Sequence, residues 1–142
     1  MIIRNYNSND LEALTALMAD LGYPTNTASM EHRMKLIQSN PTNVTFVAEV
    51  QGNVVGMIGV REVYYYEEDG TAAQISALVT KQEHQGKGIG KALVRYVESW
   101  ALEKGIQVLT LTSGIKEERV KAHEFYKAIG FEITGYRFVK KL

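Results

Sequence analysis

The run Gln85-Gly86-Lys87-Gly88-Ile89-Gly90-Lys91 sets glycines and lysines directly ahead of a helical pattern. A helix N-terminus offers unpaired backbone N–H groups and a partial positive charge. Glycines let a ligand approach those groups closely. A phosphate or pyrophosphate suits that combination, with Lys87 and Lys91 adding charge around it. Two better-known phosphate loops do not fit. The dinucleotide fingerprint needs G-x-G-x-x-G, whereas Gly86, Gly88 and Gly90 are spaced G-x-G-x-G. The P-loop needs Ser or Thr after its Gly-Lys pair, and Ala92 follows Gly90-Lys91 here. Read from the residues alone, the loop is either an anion cradle or a glycine-rich connector.

The elements that must position this loop follow from the hydrophobic period. Residues 2–6 are short and β-prone. Asn9 offers an N-cap with Glu12 three residues on, as in a capping box. Leu11, Leu14, Met18 and Leu21 then recur at helical spacing as far as Gly22. A weaker helix is expected over residues 28–38, with Met30, Met34 and Ile37 as its stripe and Pro41 beyond its end. Val44, Phe46, Ala48 and Val50 alternate as a strand, and Gln51-Gly52-Asn53 is a turn. Residues 54–60 are almost continuously apolar, which predicts a strand buried on both faces. Asp69-Gly70 marks a hairpin turn before a third strand over residues 72–80.

Past the glycine loop, Ile89, Leu93, Val97, Trp100 and Ala101 form the stripe of a strong helix that Gly105 stops. Val108, Leu109 and Leu111 predict another strand. Glu117 and Glu118 are expected in the first turn of the last helix, where negative charge suits the dipole. Ala122, Phe125, Tyr126 and Ile129 are its stripe and Gly130 its end. Residues 131–139 read as a strand or hairpin arm broken at Gly135. This order predicts an α/β domain with a mixed sheet, in which the strand–helix–strand over residues 72–112 is a right-handed parallel crossover.

The 142 residues amount to one domain, expected to span residues 1–142. Lys plus Arg number 16 and Asp plus Glu number 16, so the net charge is zero. That argues against a general nucleic-acid binder or a polybasic membrane binder. The chain has no cysteine, which excludes disulfides, Cys-based zinc sites and Cys nucleophiles. His32, His84 and His123 are too dispersed for a metal-site spacing, so no metal is expected. No apolar stretch approaches the ~18 residues of a membrane span. The opening MIIRNYNSND turns polar at once, unlike a signal-peptide core, and a cytoplasmic location is expected.

The loop and two flanking segments resemble the GNAT superfamily of acetyl-CoA-dependent N-acetyltransferases. Gln85-Gly86-Lys87-Gly88-Ile89-Gly90 matches that family's [R/Q]-x-x-G-x-[G/A] signature. The preceding Ile75-Ser76-Ala77-Leu78-Val79-Thr80 resembles its splayed strand, with Thr80 where valine is usual. Ala122-His123-Glu124-Phe125-Tyr126-Lys127-Ala128-Ile129-Gly130-Phe131 resembles its A-x-x-F-Y-x-x-x-G-F segment. The resemblance implies an α/β (α+β) fold with a mostly antiparallel sheet of six to seven strands, about four helices and a splayed parallel strand pair at the cofactor. It further implies acetyl-CoA as cosubstrate. Backbone N–H groups over Gln85, Gly86, Lys87, Gly88, Ile89, Gly90 and Lys91 would hold the pyrophosphate. The backbone of Leu78, Val79 and Thr80 would pair with the pantetheine arm. Tyr126 would protonate the leaving thiolate, a fair match for a phenol of pKa ~10 and a thiol of ~8.5. Tyr126 has a competing reading as a core aromatic on the apolar stripe.

The implied reaction is direct attack of a primary amine on the thioester, without an acyl-enzyme. A small-molecule amine is the expected acceptor, and the relatives' habits also allow a homodimer. A peptide or protein amine is the alternative acceptor, and a non-catalytic CoA-binding module is the alternative class. Arg119 stands where many family members have asparagine. It is either an anion contact or a solvated residue at a helix start. Candidates by type for the general base are Glu67, Glu68, Glu83, His84 and His123. Tyr64-Tyr65-Tyr66 reads either as a wall of the acceptor pocket or as exposed strand aromatics. Gln74 and Ser76 alternate on the third strand and are expected to face substrate.

Overall fold

Phe46 and Val47 are adjacent and both buried, so the strand that carries them must be covered on both faces. That strand is β2 (Asn43–Val50), and the cover comes from helices on either side. The structure, a computed structural model, describes residues 1–115 and 117–142. Strands β1 (Ile2–Asn5), β2, β3 (Asn53–Tyr64) and β4 (Thr71–Thr80) run antiparallel in sequence order. Strand β5 (Leu109–Leu111) completes the sheet, parallel to β4, in the order β1-β2-β3-β4-β5. The helices are α1 (Leu11–Leu21), α2 (Thr27–Ser39), α3 (Ile89–Glu103) and α4 (Val120–Ala128).

The chain divides into two compact units, Met1–Thr110 and Leu111–Leu142. In the first, α1 and α2 cover one face of the sheet. Leu14, Leu17, Met18, Met30 and Met34 pack there with Tyr6, Val47, Met57 and Val79. Helix α3 covers the other face, where Phe46 meets the rings of Tyr96 and Trp100 edge-on at 4.9 and 6.2 Å. The second unit holds α4, whose apolar residues are at most half-buried. Among the described residues no helix is long and apolar enough to cross a membrane.

The mixed sheet, the four helices and the parallel pair agree with the sequence reading, but the sheet has five strands among the described residues, not six to seven. The expected strand over residues 131–139 does not form. Its apolar residues fall on both parities (Phe131 and Ile133 against Tyr136 and Phe138), so it has no single face to bury, and Gly135 weakens it further. The first cap also shifts. Asn7, not Asn9, caps a single 3-10 turn (Ser8–Asp10), and the box partner is Asp10, whose carboxylate takes the Asn7 N–H at 2.9 Å. Helix α1 continues from that turn, and Gly22 ends it at φ 102° as expected. Glu117 and Glu118 lie in another 3-10 turn (Glu117–Arg119) just before α4, rather than in its first turn.

Candidate active site

The glycine loop forms because two of its residues must adopt conformations that other side chains resist. Gly86 has φ 79° and Gly88 has φ 83°, and nothing lies within 4 Å of where a Cβ would stand on either. Gly88 is the N-cap of α3 and contributes no side chain to cap it. The helical ladder begins with Ala92 N–H donating to the Gly88 carbonyl at 3.0 Å. The N–H groups of Ile89, Gly90 and Lys91 precede that bond and have no helical acceptor. Lys87 and Lys91 are exposed beside them. An open glycine cradle with free donors and flanking ammonium groups fits a pyrophosphate.

The first unit holds this cradle at several points. Ile89 is buried at the first turn of α3. Gly56 on β3 lets the helix come close, since a Cβ there would stand 3.1 Å from Ile89 Cγ2 and 3.2 Å from Leu93 Cδ1. Asp20 at the end of α1 accepts from the Gln82 N–H at 3.2 Å, and Lys81 N–H donates to the Val55 carbonyl at 2.7 Å. Sequence reasoning missed both Gly56 and Asp20. The only signal for Gly56 was a glycine inside an apolar strand.

Strand β4 carries a bulge. Gly59 faces Ala77 and Val60 faces Ile75, so Ser76 is an extra residue, and it is exposed. One edge of β4 pairs with β3, setting Leu78, Val79 and Thr80 against Ile58, Met57 and Gly56. Short β5 meets the other edge near its start, where Ala73 N–H donates to the Val108 carbonyl at 2.9 Å. In a parallel register β5 runs out before Leu78–Thr80. Val79 is buried in the core, whereas Leu78 and Thr80 are half-buried. Gln74 accepts from Arg61 Nε at 2.8 Å, so its carbonyl oxygen is already engaged.

In the second unit Tyr126 lies between two rings, edge-on to Phe125 at 5.5 Å and to Phe131 at 5.9 Å. Burial pushes its phenol above the ordinary tyrosine range, and the nearby Arg119 charge acts in the opposite sense. Arg119 is the N-cap of α4 and half-buried. His123 Nε2 lies 2.7 Å from the Gly114 carbonyl oxygen. The Ser113 hydroxyl oxygen is buried without a hydrogen-bond partner among the described residues. Of the other candidate bases, Glu67, Glu68 and Glu83 are exposed and His84 is half-buried. Tyr64 and Tyr66 project into solvent from the β3–β4 hairpin.

The model of the Acetyltransferase (GNAT) family matches residues 11–131, a span that crosses both units. The chain belongs to this family. Among curated relatives, N-acetyltransferase family 8 member 2 of Rattus norvegicus is 34% identical over 94 residues, covering 66% of this chain and 41% of that protein. The aminoalkylphosphonate N-acetyltransferase of Salmonella typhimurium is 32% identical over 91 residues, covering 64% of this chain and 58% of that protein. The chain thus matches about half the length of these relatives. A solved GNAT family acetyltransferase from Staphylococcus aureus superposes with a TM-score of 0.85 at 28% identity, covering 99% of this chain and 98% of the other. The GNAT membership expected from Gln85–Gly90 and from Ala122–Phe131 therefore holds. Among the described residues no group of three His, Asp or Glu side chains could hold a metal ion.

Proposed function

We propose that residues 1–142 form one acetyltransferase domain that moves the acetyl group of acetyl-CoA to the primary amine of a small molecule. The observation that carries this reading is the open glycine cradle at α3 in a GNAT chain, with left-handed Gly86 and Gly88 beside unpaired N–H groups. Acetyl-CoA, the cosubstrate, brings an activated thioester. Gln85, Gly86, Lys87, Gly88, Ile89, Gly90 and Lys91 hold its pyrophosphate through backbone N–H groups and the two ammonium charges. Leu78, Val79 and Thr80 offer a strand edge to the amide-bearing pantetheine arm.

The amine attacks the thioester carbon directly, and a chain without cysteine forms no cysteinyl acyl-enzyme. A nitrogen–carbon bond forms, the carbon–sulfur bond breaks, and the amine's surplus proton leaves to a base or water. Tyr126 supplies a proton to the departing thiolate and regains one from solvent. Its raised pKa keeps the phenol protonated through neutral pH, which is the form that can donate. A small-molecule acceptor is favoured by the likeness to the aminoalkylphosphonate enzyme. A reducing, cytoplasmic setting suits a chain without cysteine.

Calorimetry with CoA tests the cradle. Micromolar or tighter binding by the wild type and marked weakening by Gly88→Val are expected. Equal affinity in the two proteins would remove the pyrophosphate from this loop.

A further inference from the structure

We propose that His123 is a positioning residue for Tyr126, holding the loop after β5 to the helix that carries the phenol. This rests on the catalytic reading of Tyr126. The contact is short, with His123 Nε2 2.7 Å from the Gly114 carbonyl oxygen. A carbonyl has no proton to give, so Nε2 carries the proton and donates in either protonation state of the ring. Positions 123 and 126 are three apart on α4 and lie on one face. The hydrogen bond therefore ties Gly114 to the helical turn that also carries Tyr126.

Other features of the same unit show why this loop needs a tie. Ile115 is 94% exposed and gives the loop no hydrophobic anchor. Ser113 keeps its hydroxyl oxygen buried without a partner among the described residues, an arrangement that must be held by bonds made elsewhere. Arg119 runs alongside, its Cγ 3.7 Å from where a Cβ on Gly114 would stand, and its charge acts on the Tyr126 phenol. Displacing Gly114 would therefore disturb Arg119 as well as the first turn of α4. His123 was a candidate general base by residue type. The geometry gives its Nε2 a different task, and the two roles respond differently to substitution.

Glutamine at 123 keeps a side-chain N–H at a similar reach but has no basic nitrogen. Alanine has neither. Steady-state kinetics of wild type, His123→Gln and His123→Ala separate the roles. The expected result is a kcat lower by about 10- to 100-fold in His123→Ala, with KM for acetyl-CoA within about twofold. His123→Gln should regain most of that loss and keep both limbs of the wild-type pH–rate profile. Amide exchange over residues 113–115 should accelerate in His123→Ala and not in His123→Gln. Wild-type kcat and unchanged exchange in His123→Ala would overturn the proposal. So would a His123→Gln protein as impaired as alanine and lacking the acidic limb, which would make the imidazole the base. A wild type without amine-dependent release of CoA would overturn the acetyltransferase reading and this role together. Normal turnover with an indifferent His123→Ala would overturn this role alone.

Discussion

Tyr126 sits between Phe125 and Phe131, and burial holds its phenol above the usual range while Arg119 opposes the shift. If it donates the proton to the leaving thiolate, Tyr126→Phe should lower kcat by about 10²- to 10³-fold. CoA affinity, read by calorimetry, should stay within about twofold. Undiminished turnover would return Tyr126 to the packing role its position on the apolar stripe also suggests. Because its pKa is raised, the midpoint of the alkaline loss of activity tied to this group should lie on the alkaline side of an ordinary tyrosine's titration, read from a pH–rate profile. Asp10 presents the opposite case. It is 5% exposed and takes two hydrogen bonds from Arg4, at 2.8 and 2.9 Å, and one from the Asn7 N–H. The Arg4 guanidinium first, then the Asn7 N–H, hold its carboxyl below the ordinary range against the effect of burial. A lowered pKa means that this stabilisation is present above about pH 4, the unfolded value, and fades as pH falls through the folded one. Asp10→Ala should destabilise the fold by about 1–3 kcal/mol near neutral pH, and thermal melts should show its deficit shrinking in acid. The sequence announced a cap here but put it at Asn9. Asn7 and Asn9 are equally able caps by type, and only the 3-10 turn over Ser8–Asp10, which takes in Asn9 and leaves Asn7 at its start, decides.

Helix α3 is placed by what touches its first turn. Gly56 leaves room for Ile89 and Leu93, and its own Cβ position lies 3.3 Å from the Val79 carbonyl. Gly56→Val should therefore cost about 1–3 kcal/mol of stability and also weaken CoA binding, by pushing the donor-bearing turn away from β4. A melt and a CoA titration on one sample check both effects. A destabilised protein with intact CoA affinity would separate helix seating from the cradle. Gly56 was hidden in the sequence because an apolar run reads as a strand whether or not a glycine interrupts it. Helix α3 itself was plain, since its stripe has a strong 3.6-residue period and a glycine at each end. The segment after α4 misled for the converse reason. Residues 131–139 have strand-forming types but apolar residues on both parities, and strand formation is settled by a ladder partner rather than by composition.

At the scale of the whole chain, zero net charge argued against a broad polyanion surface and left room for a local one, the role proposed for the Lys87–Lys91 cradle. Family membership was legible because two short motifs stand at family-like separation in one chain, and the family match over residues 11–131 embraces both. The acceptor was not legible. Its recognition depends on how side chains from separate segments converge, and no periodicity or spacing records that. The central claim is acetyl transfer to a small amine. It is tested most directly by release of free CoA thiol from acetyl-CoA across a panel of amines that includes aminoalkylphosphonates, amino acids, polyamines and aminoglycosides. The account predicts release that requires an amine, saturates with at least one small member of the panel and collapses in Tyr126→Phe. CoA binding with no amine-dependent thiol release from any acceptor, basic peptides included, would contradict it and make the chain a CoA-binding module.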